Sequence, residues 1–245
     1  MKKLSVTLIG LLFLVACDEG DNSVGGDFSD GTGQGGSLAR LGIIDDNLYV
    51  ANPNEIVTFS LKDPGNPVPL ARTNPPNTLE TIFTYQNRIV FVGTTTGLLI
   101  YEAQGFNLQL LSEYRHVTAC DPVIAEGNYA YVTLRSDSNS NICQRGFDQL
   151  EILDISNLSN PQLINTVSLI NPRGLAKYGD TLLVCDRGVK AFDVRNPQKV
   201  EFITADADID AVDLIALDSL IIAVGNRSLR QYLYKNERLE LLSEL

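Results

Sequence analysis

Five stretches of the chain open alike, with a polar turn followed at once by apolar residues: DDNLYVAN from Asp45, QNRIVFVG from Gln86, GNYAYVTL from Gly127, GDTLLVCD from Gly179 and LDSLIIAV from Leu217. A second apolar segment of alternating character follows each: EIVTFSLKD, GLLIYEAQG, QLEILDISN, GVKAFDVRN and SLRQYLYKN. Past a Pro or Asn turn comes a third: PVPLART, LQLLSEY, PQLINTV, KVEFITA and LELLSEL. A fourth precedes each opening turn: LARLGII, LETIFTY, CDPVIAE, RGLAKY and AVDLIAL. Alternation at period two dominates and no helical period persists, so each unit predicts four short strands separated by turn residues.

A four-stranded unit recurring about every 40 residues is the spacing of a propeller blade. One such sheet cannot bury both its faces alone, so the blades must stack around an axis. The expected fold is all-β, a β-propeller of five four-stranded blades over residues 37–245, with an open blade stack or a β-sandwich as the alternative. The first unit begins with its innermost strand and the last ends with its outermost. The ring is therefore expected to close by blade packing, without an exchanged strand.

The segment ahead of the repeats is of another kind. Lys2 and Lys3 precede an apolar run from Leu4 to Ala16, the pattern of a secretory signal; the run is shorter than the ~20 residues a membrane-crossing helix needs. It ends in LVAC, Leu14 to Cys17, which resembles a bacterial lipobox and implies removal of residues 1–16 and lipid on Cys17. Residues 17–36, rich in Gly, Asp and Ser and without Lys or Arg, read as a flexible acidic tether. The remaining composition, 44% hydrophobic and 20% charged, is that of a folded body. A formal charge of −11 opposes any phosphate backbone, and no Lys/Arg cluster offsets it, which excludes nucleic acid as a partner.

LEILDISNLSNPQLI, Leu150 to Ile164, and VKAFDVRNPQKVEFI, Val189 to Ile203, resemble the LVIVD repeat, whose propellers include many bacterial lipoproteins. The phrases GTGQGGSLAR, HVTACDPVIAEGNYAYVTLR and INPRGLAKYGDTLLVCD are similar to the lipoprotein branch of Bacteroidetes-type bacteria. The resemblance implies fold and anchoring and supplies no catalytic role. Units one, two and five depart from its DIS core, with Ser60, Glu102 and Leu233 where Asp154 and Asp193 stand.

Aligned on their opening turns, the units place Ala39, Glu80, Asp121, Arg173 and Ala211 together at the start of the inner strand, with Asp210 and Asp213 beside Ala211. Glu80, Asp121, Arg173, Asp210 and Asp213 are thus candidate binding residues at one mouth of the central channel; a merely solvated mouth is the alternative. Unit three carries an insertion on the same face, RSDSNSNICQRGFDQ. Its Asp137, Asn139, Asn141 and Asp148 echo a calcium loop, but Ile142 replaces the turn glycine and the closing Glu is absent, so an ordinary polar loop is the stronger expectation. Cys120 and Cys143 lie towards one face of the same unit and are expected to form a disulfide, leaving Cys185 a buried free thiol. The chain's one histidine, His116, precedes Cys120 and Asp121 closely, yet the intervening connection crosses the blade and an oxidised Cys120 cannot act as nucleophile.

The expected function is a lipid-anchored cell-envelope scaffold binding a protein or glycan through its loop-bearing face, with no cofactor and no catalysis. The expected location is the outer membrane, on its periplasmic or surface face, ahead of the inner membrane. The alternative is a hydrolase or lyase using carboxylates at the channel mouth.

Overall fold

The computed structural model describes residues 36–115, 122–136 and 147–245. These residues build twenty strands in five antiparallel four-stranded sheets, each ordered a-b-c-d from the axis outwards. Blade 1 comprises β1 (Leu41–Ile44), β2 (Asn47–Asn52), β3 (Glu55–Ser60) and β4 (Val68–Thr73). Blade 2 comprises β5 (Leu79–Tyr85), β6 (Ile89–Thr94), β7 (Gly97–Gln104) and β8 (Asn107–Arg115). Blade 3 comprises β9 (Val123–Glu126), β10 (Tyr129–Leu134), β11 (Gln149–Asp154) and β12 (Gln162–Ser168). Blade 4 comprises β13 (Pro172–Tyr178), β14 (Thr181–Asp186), β15 (Val189–Asp193) and β16 (Glu201–Asp206). Blade 5 comprises β17 (Ala211–Leu217), β18 (Leu220–Gly225), β19 (Leu229–Lys235) and β20 (Arg238–Glu244). The fold is the five-bladed β-propeller that the repeat predicts.

Turn chemistry fixes the registers. Each a-to-b hairpin turns on a residue with positive φ: Asp45, Gln86, Gly127, Gly179 and Asp218. Glycine takes this conformation without strain, and Asp tolerates it better than most residues. The fifth member corrects the sequence alignment, which started unit five at Leu217; Asp218 holds the equivalent place. Counting back from it puts Val212, not Ala211, level with Glu80 and Arg173. Ala211 is instead buried against blade 4. The slip lies in the turn: Leu217 still pairs with Leu220, so Asp218 and Ser219 turn the chain as Gly179 and Asp180 do in blade 4. Strands β5, β13 and β17 each carry a register shift near their start, at Glu80, between Pro172 and Leu175, and at Val212. An extra residue at a bulge re-aims the side chains around it and breaks simple alternation.

Apolar residues facing between blades form the core. One cluster joins blades 1 and 2 through Tyr49, Ile56, Leu79 and Val90. Others join blades 2 and 3 through Phe91, Ile100, Val123 and Val132, and blades 3 and 4 through Tyr131, Ile152, Leu182 and Val184. The fourth joins blades 4 and 5 through Leu183, Val189, Leu214 and Tyr232. Among the described residues no such cluster spans blades 5 and 1. Leu41, Leu217 and Val224, on the faces turned away from blades 2 and 4, stay exposed. The segment ahead of β1 makes the connection there by hydrogen bonds. Ser37 Oγ donates to Asp213 Oδ1 at 3.0 Å and accepts the Leu175 N–H at 2.7 Å. The Leu38 N–H donates to Asp213 Oδ2 at 3.3 Å, and Ala39 accepts the Ile82 N–H at 2.9 Å. One short run thus ties blades 4 and 5 to blade 2 before entering blade 1. Among the described residues this polar link is what joins the last blades to the first, and, as expected, no strand is exchanged between blades.

Candidate functional site

The inner strands enter at one face of the ring, and the b strands end there, because neighbouring antiparallel strands share a turn-bearing edge. At that face a cavity of about 420 Å³ is lined by Leu38, Arg40, Glu80, Thr81, Pro122, Arg135, Arg173, Val212 and Asn226. Every blade, or the segment leading into it, supplies at least one of these residues. Further along the inner strands a second cavity of about 90 Å³ is lined by Phe83, Ile124, Ala176 and Ile215, which hold the same register position on blades 2 to 5, and by Glu126 and Lys177, which pair at 2.7 Å.

Arg173 is held from two neighbouring blades. The register shift in β13 carries it out of the regular ladder, Thr133 of blade 3 donates to its carbonyl at 2.6 Å, and its guanidinium lies 3.6 Å from Asp210 Oδ1. Asn226 Nδ2 also donates to Asp210, so that carboxylate links blades 4 and 5 at the rim while orienting Arg173. Arg135 directly follows β10 and Asn226 directly follows β18, and both reach the cavity from the ends of b strands. Glu80 on blade 2 stands between the neighbouring blades that supply Arg40 and Arg135, so opposite charges sit on adjacent blades. Glu80, Thr81 and Arg135 carry interactions of their own. The described lining holds three guanidiniums and one carboxylate, with the Asp210 carboxylate beside Arg173 at its rim.

Of the residues singled out from sequence, Glu80 and Arg173 converge in the cavity and Asp210 stands at its rim. Asp213 has a structural position: it is enclosed by Gly36 and Gly174 and receives the Ser37, Leu38 and Leu214 donors. A Cβ at Gly174 would lie 2.1 Å from Asp213 Oδ1, so only glycine allows blades 4 and 5 to approach there. Burial pushes the Asp213 carboxyl above its ordinary value, and these donors pull it partly back. Asp148 caps the foot of the unit-three insertion, accepting Ser136 N–H at 2.9 Å and Ser136 O–H at 3.1 Å. Cys185 is a free, fully buried thiol, and burial, with Asp213 next in effect, raises its pKa well above the ordinary value. Cys17, His116, Cys120, Asp121, Asp137, Asn139, Asn141 and Cys143 lie outside the described residues. Arg40, Arg135 and Asn226 were not foreseen.

The LVIVD repeat family matches residues 146–168, the stretch carrying β11, the turn after it and β12. No curated protein matches the chain by sequence. Solved structures resemble it at low identity. A protein of Lactobacillus plantarum superposes with a TM-score of 0.66 at 14% identity, over 81% of this chain and 67% of its own. The periplasmic gluconolactonase of Pseudomonas aeruginosa gives 0.65 at 12%, over 82% and 67%. BamB from Moraxella catarrhalis gives 0.56 at 13%, over 83% and 59%, so the chain spans well under two thirds of that protein. At these identities the likeness shows the fold alone.

Proposed function

We propose that the protein is a lipid-anchored binding propeller of the cell envelope that takes its ligand at the channel mouth and catalyses no reaction. The observation that supports binding is the convergence of all five blades on one cavity of about 420 Å³ holding Arg40, Arg135, Arg173 and Glu80. Concave sites of this size, part apolar with a few convergent polar groups, are where small ligands are held. Acid–base hydrolysis by a carboxylate pair needs two carboxylates within reach of one substrate. The described lining offers Glu80 alone, since Asp210 is engaged by Arg173 and Asn226 and Asp213 is enclosed beside Ser37. Anchoring rests on Lys2, Lys3, the apolar run and Cys17.

Two measurements test this reading. Immobilised full-length protein and a Val212→Trp variant, which fills the mouth, are exposed to a glycan and metabolite extract of the cell envelope, and retained compounds are identified by mass spectrometry. Retention by the parent and not by the variant is expected; equal retention sinks the mouth as the site. Cys17→Ala should move the protein from the membrane to the soluble fraction, and unchanged fractionation sinks the anchor.

A further inference from the structure

We propose that the protein pairs with a second copy of itself, the uncovered sheet face of blade 5 in one copy stacking on the uncovered sheet face of blade 1 in the other. Equivalent positions around the ring give the ground. In each blade the b strand sends alternate side chains forward, to the next blade, and back, to the preceding one. Midway along b the forward position is held by Tyr49, Phe91, Tyr131 and Leu183, all at most 1% exposed and each in the cluster shared with the following blade. Its fifth member, Ile222, is only half-buried, and Val224 beyond it is 39% exposed where Ala51, Thr133 and Cys185 are covered. On the c strand Leu229 is half-buried, whereas its equivalents Ile56, Leu98, Leu150 and Val189 are at most 1% exposed.

Blade 1 shows the converse. Its a strand sets Leu41 opposite Val50, as the other a strands set Ile82, Val123, Leu175 and Leu214 opposite the same b position. Those four are at most 2% exposed against the preceding blade, while Leu41 is 53% exposed and Leu48 and Val50 are half-buried. Blades 5 and 1 thus end the stack with side chains of the kind that fill a blade interface, and the Ser37 to Asp213 link at the mouth leaves both faces uncovered. End units of stacked repeats ordinarily carry a polar outer face, because an apolar one draws association.

The occupant follows from the direction of the four internal junctions. Each sets the forward face of one blade on the back face of the next, as Tyr49 and Ile56 meet Val90 and Val92, and Leu183 and Val189 meet Leu214 and Ala223. The forward face left over is that of blade 5, and the back face left over is that of blade 1. A second copy therefore offers each the complement that the fold already uses four times within the chain. A two-fold pair, blade 5 of each copy on blade 1 of the other, would cover all four faces at once.

The test is cross-linking in membranes that carry two differently tagged full-length copies, one Leu41→Cys and one Val224→Cys, with the parent as the blank. Both substitutions sit at exposed positions, and their internal equivalents Leu214 and Cys185 share one cluster. A short bismaleimide should join one variant to the other far more than either to itself. Adding Leu229→Glu to the Val224→Cys copy should lower the yield about 10-fold or more, because the junction would then bury an unpaired carboxylate. Where that change lowers the melting temperature, Leu217→Glu, exposed on the same face, serves instead; Leu110→Glu, exposed on the outer strand of blade 2, should leave the yield unchanged. A chain carrying both cysteines that links only within itself would overturn the proposal, since the ring would then close on its own blades. Absence of any link would overturn it too: cysteines that resist a maleimide would mean that another protein covers the faces, and cysteines that react freely would mean that nothing does. Indifference of the yield to both glutamates would likewise remove the junction as the contact.

Discussion

Replacing Asp213 tests whether a buried carboxylate, in place of apolar packing, holds the ring shut between its last and first blades. Its oxygens receive Ser37 O–H at 3.0 Å, Leu38 N–H at 3.3 Å and Leu214 N–H at 2.9 Å. A hydrogen bond to a charged acceptor contributes about 1.5–3 kcal/mol, but burying the charge offsets part of that, and the raised carboxyl pKa shows the offset at work. Asp213→Ala should therefore cost about 2–4 kcal/mol in urea unfolding, and Asp213→Asn, which keeps one acceptor oxygen, about half as much. Amide exchange gives the more specific reading. The Leu175 N–H is held only through Ser37 Oγ, so its exchange should accelerate although it never touches Asp213. The dependence on pH has a definite sign. Because the folded carboxyl titrates above its ordinary 3.8, its neutral form is favoured by folding; parent stability relative to Asp213→Asn is greatest below that value and declines as pH rises through the raised one. A cost below about 0.5 kcal/mol with unchanged exchange at Leu175 would refute the latch.

The remaining predictions concern groups whose partners are equally definite. Asp186, fully buried, accepts Ile170 N–H, Asn171 N–H and the Lys190 ammonium, so Asp186→Ala should cost about 3–5 kcal/mol by urea unfolding and uncouple the blade 3 to blade 4 crossing. Gly188 has φ +116° and a Cβ there would lie 2.1 Å from the Asp206 carbonyl oxygen; Gly188→Ala should lower the urea midpoint by an amount equivalent to about 2 kcal/mol or more. In folded protein Cys185 should not react with a thiol reagent at pH 8, since it is buried and its pKa is raised; unfolded, unreduced mature protein should show one free thiol among Cys120, Cys143 and Cys185, and three would dismiss the disulfide.

The blades were legible because their strands follow local rules. Alternation at period two, turn residues at fixed offsets and a four-strand unit leave few other architectures. Even the departures from the DIS core have local causes. Asp154 and Asp193 cap the c-to-d turn by accepting the Ser156 and Arg195 amides at 2.8 and 2.9 Å, and Ser60 does the same for Lys62 at 3.3 Å. Blades 2 and 5 replace this capped connection by short hairpins with positive φ at Gly105 and at Asn236 and Glu237. Glu102 and Leu233 are ordinary strand residues there, with no turn to cap. The junction between blades 5 and 1 was not legible, because Ser37, Asp213 and Leu175 meet only after the chain has gone once round the axis, and no period in the sequence reports on such a meeting.

The site was half legible for a related reason. Glu80 and Arg173 were found because they occupy repeat-equivalent positions, and alignment sees equivalence. Arg135 and Asn226 escaped because they follow b strands, and only the pairing of a with b brings the end of one beside the start of the other. That pairing was itself predicted, so inspecting the residue after every b strand would have turned up Arg135 in unit three; in unit five the segment read from sequence stops at Val224, and Asn226 comes into place only because β18 runs on to Gly225. Doing so would also have altered the chemistry inferred. With Glu80, Asp210 and Asp213 in view the mouth reads as acidic and invites a carboxylate mechanism; the structure encloses Asp213 beside Ser37, pairs Asp210 with Arg173, and brings Arg40 and Arg135 into the lining. The sign of a site depends on which charges remain after the fold has used its share, and that division is decided by contacts between blades.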